Sequence, residues 1–172
     1  MNEITSGNIN AIIGRSADFY GPGCKTSVLN TMVFDKMDRH RKAQWLVNEK
    51  VVHSFTFTPD CGEALWLLSN RSDAWNQVWH LPTARPALTG KEIISWSAEI
   101  FEATSKYTII GKGMVNFLGI FMKIMKEFKE MLYQYEEAYI FESSKFERAF
   151  NFKPTPYKEG IQITAQSYKK PA

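Results

Sequence analysis

Short apolar runs of strand length alternate in this chain with stretches whose apolar residues recur at helical spacing. The run at residues 9–15 has the length of a strand, and residues 26–39 follow it with apolar side chains three and four apart. Near the other end, Pro156 stands at the expected first position of a last helix. This alternation predicts an α/β fold, although the strands are few and short for a doubly wound sheet. We therefore expect a part of such a sheet, accompanied by several helices.

The remaining elements follow the same two patterns. Further strands are predicted at residues 43–47, 51–58, 76–81, 106–110 and 139–141, and helices at residues 62–70, 89–103 and 144–150. In the strand at 51–58 the alternation of apolar residues predicts one buried face, on which His53 lies among aromatic residues. Asp60 with Glu63, and Thr89 with Glu92, have the spacing of capping boxes at the start of the two helices that follow.

The stretch from residue 114 to residue 135 is the longest apolar pattern in the chain. Its apolar residues, at alternating intervals of three and four, are Phe117, Phe121, Ile124, Phe128, Met131 and Tyr135. The opposite face carries lysine and glutamate pairs four residues apart. We predict one packed helical seam, or two helices bent near Gly119. The charged residues within it exclude a membrane span.

The charge balance limits the binding partners that the sequence indicates, and the cysteines bear on the cellular compartment. The chain has 21 basic and 18 acidic residues, and this net charge of +3 is too mild and too interleaved to indicate nucleic acid or an anionic membrane. The densest basic run, residues 36–42, is interpreted as a solvated helix end, with a phosphate-binding patch as the alternative. Cys24 and Cys61 form no CxxC or His/Cys cluster, which indicates no metal site, and without a signal-peptide pattern we expect a cytoplasmic protein.

Five segments carry a resemblance to a known family. They are RSADFYGPG (15–23), HSFTFTPD (53–60), QVWHLPT (77–83), ESSKFERAF (142–150) and KPTPYKEGIQIT (153–164). In order and spacing they resemble the extended short-chain dehydrogenase/reductases, the NAD-dependent epimerase/dehydratase family. The resemblance implies the C-terminal part of a Rossmann-like fold. Residues 1–172 would form a single partial domain with the last sheet strands and the substrate-binding region, while the N-terminal dinucleotide-binding portion is missing.

Two motifs of that family are absent from this sequence. Family members hold the dinucleotide with a GxxGxxG turn after their first strand, and no glycines here have that spacing. Their catalytic pair is Tyr-x-x-x-Lys, in which the lysine lowers the pKa of the tyrosine, and none of the seven tyrosines here has a lysine four residues on. We therefore assign no catalytic residue and expect the chain alone to be inactive. NAD or NADP is expected to bind tightly only to an intact family member.

The resemblance implies two groups of site residues. Phe19, Tyr20, Gly21 and Pro22 correspond to the family loop that closes over the nicotinamide end of the cofactor. His53, Met131 and Tyr135 are expected to line the substrate pocket, and His53 stands where many relatives carry an arginine. The alternatives are a tight turn for the first group, and for the second a core histidine and an ordinary packed helical stripe.

Two functions remain open from the sequence. The leading one is the substrate-binding portion of an NAD(P)-dependent epimerase, dehydratase or reductase, with a sugar or another hydroxyl or carbonyl compound as substrate. A separately encoded N-terminal half is then a candidate partner. The alternative is a non-catalytic protein of the same fold that holds a small ligand, or that interacts or forms a homodimer through its helices.

Overall fold

The computed structural model of the chain describes residue 4 and the ranges 6–115 and 129–169. The strands in these ranges are β1 (Ile13–Arg15), β2 (Asp18–Tyr20), β3 (Ala43–Leu46), β4 (Val52–His53), β5 (Phe55–Phe57), β6 (Val78–His80), β7 (Leu88–Thr89) and β8 (Tyr107–Ile110). The helices are α1 (Asp35–Asp38), α2 (Thr58–Ser69), α3 (Gly90–Ile100), α4 (Ser144–Phe150) and α5 (Tyr157–Lys169). A π-helical stretch, Asn30–Phe34, runs directly into α1, and 3-10 helical turns cover Ser72–Ala74 and Lys129–Tyr135.

The strands associate in pairs, most of them parallel. β1 pairs with β6, β2 with β5 and β3 with β8 in parallel, whereas β4 and β7 are antiparallel. The register of β2 against β5 places Asp18 opposite Phe55 and Tyr20 opposite Phe57. Parallel strands need long crossover connections, which here contain the helices. The α/β class predicted from the sequence is therefore confirmed, with short parallel pairs and several helices.

Aromatic side chains of β2 and β5 form part of the main hydrophobic core. The Tyr20 ring centroid lies 5.2 Å from that of Phe57, 6.0 Å from Tyr157 at the start of α5, and 6.4 Å from Phe34. Aromatic pairs at such distances contribute about 0.5–1.5 kcal/mol beyond the burial of their area. These contacts fasten β2 to β5, to the segment before α1 and to α5.

The predicted single strand at residues 51–58 is two strands, and the prediction of one buried face is wrong. The side chains of residues 53–57 are all buried, including Ser54 and Thr56. The Thr56 hydroxyl lies 2.7 Å from that of Thr83 and accepts the Ala17 N–H at 3.1 Å. Because both faces of β5 are covered, the polar side chains find hydrogen-bond partners inside the protein, as burial of polar groups requires.

One of the two predicted helix caps is confirmed. The Thr89 hydroxyl accepts the Glu92 N–H at 3.2 Å, and the Glu92 carboxylate accepts the Thr89 N–H at 2.8 Å, so α3 begins with a capping box. The cap predicted at Asp60 is wrong, because α2 begins two residues earlier. Asp60 instead accepts the N–H and the hydroxyl of Thr155, each at 2.7 Å, and so ties α2 to the segment before α5.

The predicted helical seam falls mostly outside the described residues. Phe117, Phe121, Ile124 and Phe128 lie between the two described ranges. At the described end of the seam, Leu132 and Tyr135 are buried and Met131 is 46% exposed. No helix in the described ranges is long and apolar enough to cross a membrane.

Candidate functional site

The stretch 15–23 contains a strand that the sequence analysis did not predict, in part of the region where the resemblance implied a loop at residues 19–22. Its middle residues form β2, which pairs in parallel with β5, and the glycine-rich turn begins at Gly21. Tyr20 is fully buried, Phe19 is 39% exposed, and the side chain of Asp18 is 29% exposed. β2 therefore holds a carboxylate at the surface while its neighbour two residues on lies in the core.

Two buried side chains bind the same oxygen of Asp18. His53 Nε2 lies 3.0 Å from Asp18 Oδ2, and the Tyr135 hydroxyl donates to that oxygen, also at 3.0 Å. His53 is 1% exposed and Tyr135 3% exposed. We call these three residues the Asp18 cluster. Its members come from β2, β4 and the turn at Lys129–Tyr135, so the carboxylate is fixed by contacts between distant parts of the chain.

Both ring nitrogens of His53 face acceptors. Nε2 faces the Asp18 carboxylate, and Nδ1 lies 3.2 Å from the carbonyl oxygen of Gln134. The ring stacks on Tyr135 at 4.5 Å and 17°, and lies 4.6 Å from Phe55 and 4.8 Å from Tyr139. Contacts at both nitrogens and on the ring faces therefore fix the orientation of His53.

The pKa values of the tyrosines in this region are raised and not lowered. Burial, followed by the nearby Asp18 charge, raises the pKa of Tyr135 and of Tyr139 above the ordinary value. Burial also raises the pKa of Tyr20. A tyrosine that exchanges a proton during catalysis needs its pKa lowered toward neutrality. None of these three tyrosines therefore has the lowered pKa of the catalytic tyrosine in a Tyr-x-x-x-Lys pair.

A cavity of about 250 Å³ opens beside Asp18. It is lined by Ala17, Asp18, Phe19, Cys24, Thr26, Ser27 and Val28. Pockets for whole small-molecule ligands measure about 300–1,000 Å³, so this one accommodates a sugar ring or one end of a longer molecule. The exposed part of Asp18 can accept hydrogen bonds from hydroxyl groups placed there. Among the described residues, no group of three or more metal-ligating side chains is placed to hold a metal ion.

The four residues predicted to contact the cofactor lie in different environments. Phe19 is exposed and lines the cavity, and Pro22 is partly exposed next to Gly21, whose φ is +146°. Tyr20 differs, because its ring is enclosed in the core and its buried hydroxyl has no hydrogen-bond partner in the described part of the chain. A Cβ on Gly160 would stand 2.3 Å from that hydroxyl, so α5 packs directly on Tyr20. Its side chain supports the turn from inside and is closed to a cofactor.

The structure brings together two of the three predicted substrate residues and adds one that the sequence analysis did not single out. His53 and Tyr135 stack on each other, and both are buried and hydrogen-bonded to Asp18. Met131 is 46% exposed. Asp18 carried one available signal, an acidic residue within an otherwise apolar and aromatic run. The role of Asp18 could be recognised only after residues 18–20 were known to form a strand beside β5.

The comparisons with known proteins find likeness in structure alone. No family model and no curated protein matches the sequence. A solved epimerase from Methanothermobacter thermautotrophicus is similar over 98% of this chain and 46% of that one, with a TM-score of 0.74 and 13% identity. The Thermus thermophilus UDP-glucose 4-epimerase in complex with NAD matches 98% of this chain and 49% of that one, at a TM-score of 0.71 and 12% identity.

A third structure belongs to a dehydratase. The dTDP-glucose 4,6-dehydratase from Bacillus anthracis, in complex with NAD, matches 92% of this chain and 44% of that one, with a TM-score of 0.67 and 16% identity. The chain thus spans about half the length of the solved structures it matches. At these identities the likeness establishes the fold, which resembles the Rossmann-like fold of the extended short-chain dehydrogenase/reductases.

Proposed function

We propose that this chain is the substrate-binding portion of an NAD(P)-dependent epimerase- or dehydratase-like oxidoreductase. One observation carries the proposal: a carboxylate, Asp18, is fixed from behind by two buried donors and borders a cavity of about 250 Å³. Fixing a polar group before the ligand arrives lowers the entropic cost of binding. The similarity in fold to NAD-dependent epimerases and dehydratases supports this choice of class.

The ligand of this cavity is a hydroxylated group, such as the sugar of a nucleotide sugar. A carboxylate accepts hydrogen bonds from hydroxyls and repels phosphate, so the sugar and not the diphosphate belongs next to Asp18. Structurally similar epimerases have been solved with UDP-glucose and with UDP-glucuronic acid, which supports a nucleotide sugar. In this proposal Asp18 contacts the substrate, while His53 and Tyr135 position Asp18.

The described residues do not fit a whole dinucleotide. The sequence has neither the GxxGxxG turn nor the Tyr-x-x-x-Lys pair, and the cavity beside Asp18 holds only part of an extended molecule. Phe19, Gly21 and Pro22 are proposed to face the nicotinamide end of a cofactor whose other contacts lie elsewhere. We therefore assign no catalytic step to this chain by itself.

Calorimetric titration of the 172-residue chain tests the proposal. UDP-glucose and dTDP-glucose are expected to bind measurably, and NADH and NADPH are expected to bind weakly. Phe19→Ala removes an exposed side chain that lines the cavity and is expected to weaken nucleotide-sugar binding about tenfold. The control is Leu65→Ala, which truncates a similarly exposed apolar side chain on α2 and is expected to leave binding unchanged. Failure of both nucleotide sugars to bind contradicts the substrate role, and tight NADH binding contradicts the claim about the cofactor.

An interaction role is the second candidate, and β1 favours it. All three residues of β1 are exposed, although parallel strands are ordinarily covered on both faces. Leu65 and Trp66 of α2 are 47% and 64% exposed, and Leu65 lies against β1, since a Cβ on Gly14 would stand 3.2 Å from Leu65 Cδ2. A strand of a separately encoded half, or of a second copy, would cover this surface.

Sedimentation velocity separates this role from the first. If interaction is the function, the chain is expected to sediment as a dimer, and Ile13→Lys is expected to return it to a monomer. The lysine control is Ile163→Lys, an equally exposed residue of α5. A monomer that binds a nucleotide sugar contradicts the homodimer role.

A further inference from the structure

A second cavity, of about 350 Å³, borders the glycine-rich turn and is larger than the one beside Asp18. It is lined by Gly23, Cys24, Lys25, Asn30, Asp35, Arg39, Ser167 and Tyr168. These residues come from the turn after β2, the segment around α1, and the last residues of α5. Its volume is within the range of small-molecule sites. The Asp18 cluster contributes no residue to it.

The wall that the turn contributes is held in place by Asn30. This side chain is 2% exposed, donates to the Gly21 carbonyl at 2.9 Å and accepts the Gly21 N–H at 3.3 Å. Gly21 itself has a φ of +146°, and a Cβ there would stand 2.1 Å from Thr58 Oγ1. Only glycine fits this position. Residues 23–25, which follow it, are therefore presented by a backbone that is fixed before any ligand binds.

Two cations from different elements line the cavity without an internal partner. Lys25 follows the turn, and Arg39 ends α1, where the chain reverses through His40 with a φ of +52°. Within residues 6–115 and 129–169, no carboxylate lies within ion-pair distance of either cation. Arg39 belongs to the basic run at 36–42 that the sequence left as a solvated helix end or a phosphate-binding patch. Its place in a cavity with a second cation favours the patch.

The opposite wall supplies hydroxyl and carboxylate groups. The Tyr168 hydroxyl donates to Asp35 Oδ1 at 2.6 Å, and burial, followed by this hydrogen bond, raises the pKa of Tyr168, so it stays protonated at neutral pH. No hydrogen bond from the described part of the chain reaches the second oxygen of Asp35, which can accept from a ligand. Ser167 donates to the Thr164 carbonyl at 2.6 Å, which leaves its own oxygen as an acceptor. This wall suits the hydroxyl groups of a ligand and not its phosphate.

We propose that this cavity binds a hydroxylated phosphate ester, with Lys25 and Arg39 on the phosphate and Asp35 and Ser167 on hydroxyl groups. Lysine and arginine both pair with phosphate oxygens, and a phosphate monoester carries close to two negative charges at neutral pH. Two cations and one carboxylate give the lining a net charge of +1, which favours an anion over a neutral sugar. The site is separate from the Asp18 cluster, so a ligand can occupy it whether or not a nucleotide sugar binds beside Asp18.

Protection of Cys24 from alkylation reports occupancy. Cys24 lines this cavity and also the one beside Asp18, so variants are needed to assign the protection, whereas Cys61 lies in α2 and serves as the internal control. Burial raises the pKa of both thiols, so the labelling is done at mildly alkaline pH and followed by mass spectrometry. Ribose 5-phosphate is expected to slow the labelling of Cys24 and not that of Cys61. Ribose at the same concentration is expected to have no effect.

Variants assign the protection to this cavity. Lys25→Gln and Arg39→Gln are each expected to weaken the affinity for ribose 5-phosphate about tenfold, because each removes a charged hydrogen bond. Lys42→Gln, in the same basic run but not lining the cavity, is the matched control. Phe19→Ala is also expected to keep the protection, since Phe19 lines only the cavity beside Asp18. Equal protection by ribose, or protection that survives both glutamine variants or is lost in Phe19→Ala, overturns the proposal.

Discussion

The glycine-rich turn at residues 21–25 borders two cavities, and these differ in whether their charged side chains have partners within the protein. On one side the Asp18 carboxylate is engaged by two buried partners, and the cluster is part of the folded core. On the other side Lys25 and Arg39 line a cavity, and among the described residues no carboxylate lies within ion-pair distance of either cation. Under the proposed function, the first arrangement couples ligand binding to stability, because the carboxylate proposed to contact the ligand also holds three segments together. The second leaves its charges for a ligand, so it should affect binding without affecting the fold.

The largest effect on stability is expected from His53→Ala. This change removes a fully buried ring, leaves the Asp18 carboxylate with the Tyr135 hydroxyl alone and opens a void. Truncation of a large buried side chain to alanine costs about 2–5 kcal/mol in the free energy of unfolding. Chemical denaturation measures it, with His80→Ala, a less buried histidine, as the control. A loss no greater than that of the control would mean that the Asp18 cluster does not support the fold.

Asn30→Ala should come next, and it affects both cavities at once. The variant leaves the Gly21 N–H without its partner and the Gly21 carbonyl with only the Cys24 N–H, at 3.3 Å, and a buried unsatisfied group costs about 1–3 kcal/mol. We expect a loss of about 2 kcal/mol in the free energy of unfolding. Asn48→Ala removes a single exposed side-chain hydrogen bond and is the matched control. Equal stability of the two variants would show that the turn is not held by Asn30.

Tyr135→Phe tests the second partner of Asp18 with a smaller change. It deletes one hydroxyl and keeps the ring that stacks on His53, so a loss of about 1 kcal/mol is expected. Tyr133→Phe deletes a hydroxyl from a side chain that is 64% exposed and should change the free energy of unfolding by less than about 0.5 kcal/mol. If the two variants unfold alike, the hydrogen bond from Tyr135 contributes nothing.

The smallest effect on stability is expected on the other side of the turn. Lys25→Gln and Arg39→Gln remove charges that pair with no described carboxylate, so each should change the free energy of unfolding by less than about 0.5 kcal/mol. Thermal and chemical denaturation of both variants, beside His53→Ala, give the contrast directly. A loss of 2 kcal/mol or more in either variant would show that these cations are structural, and the contrast between the two cavities would fail.

The sequence predicted most of the elements and missed the feature that organises the site. Periodicity located the helices at 58–69, 90–100 and 144–150 to within a few residues, and residue spacing identified the Thr89 capping box, because these signals are local. Asp18 was missed because its role depends on His53 and Tyr135, which lie 35 and 117 residues away in the chain. Local pattern likewise cannot show that β5 is covered on both faces, since its covering segments come from distant parts of the chain.

Packing also distinguishes residues within the two predicted site groups, which the sequence could not do. The resemblance drew attention to residues 19–22, but only packing distinguishes exposed Phe19 from Tyr20, whose ring contacts Phe34, Phe57 and Tyr157. His53 was named together with Tyr135, and the structure brings the two into contact. Their burial behind Asp18 turns a predicted pair of ligand contacts into a proposed pair of positioning residues. The direct contact with substrate is now proposed for a residue that the sequence left unremarked.

In the proposed function, Asp18 is held by His53 and Tyr135 and presents its carboxylate to a hydroxylated ligand. An NMR titration of the chain with UDP-glucose can locate this contact, because each backbone amide reports separately. Shifts are expected at residues 17–19 and 26–28, which line the cavity; Asp18→Asn should abolish these shifts, and Lys25→Gln should keep them. Shifts that are absent from these residues, or that persist unchanged in Asp18→Asn, would contradict this role of Asp18.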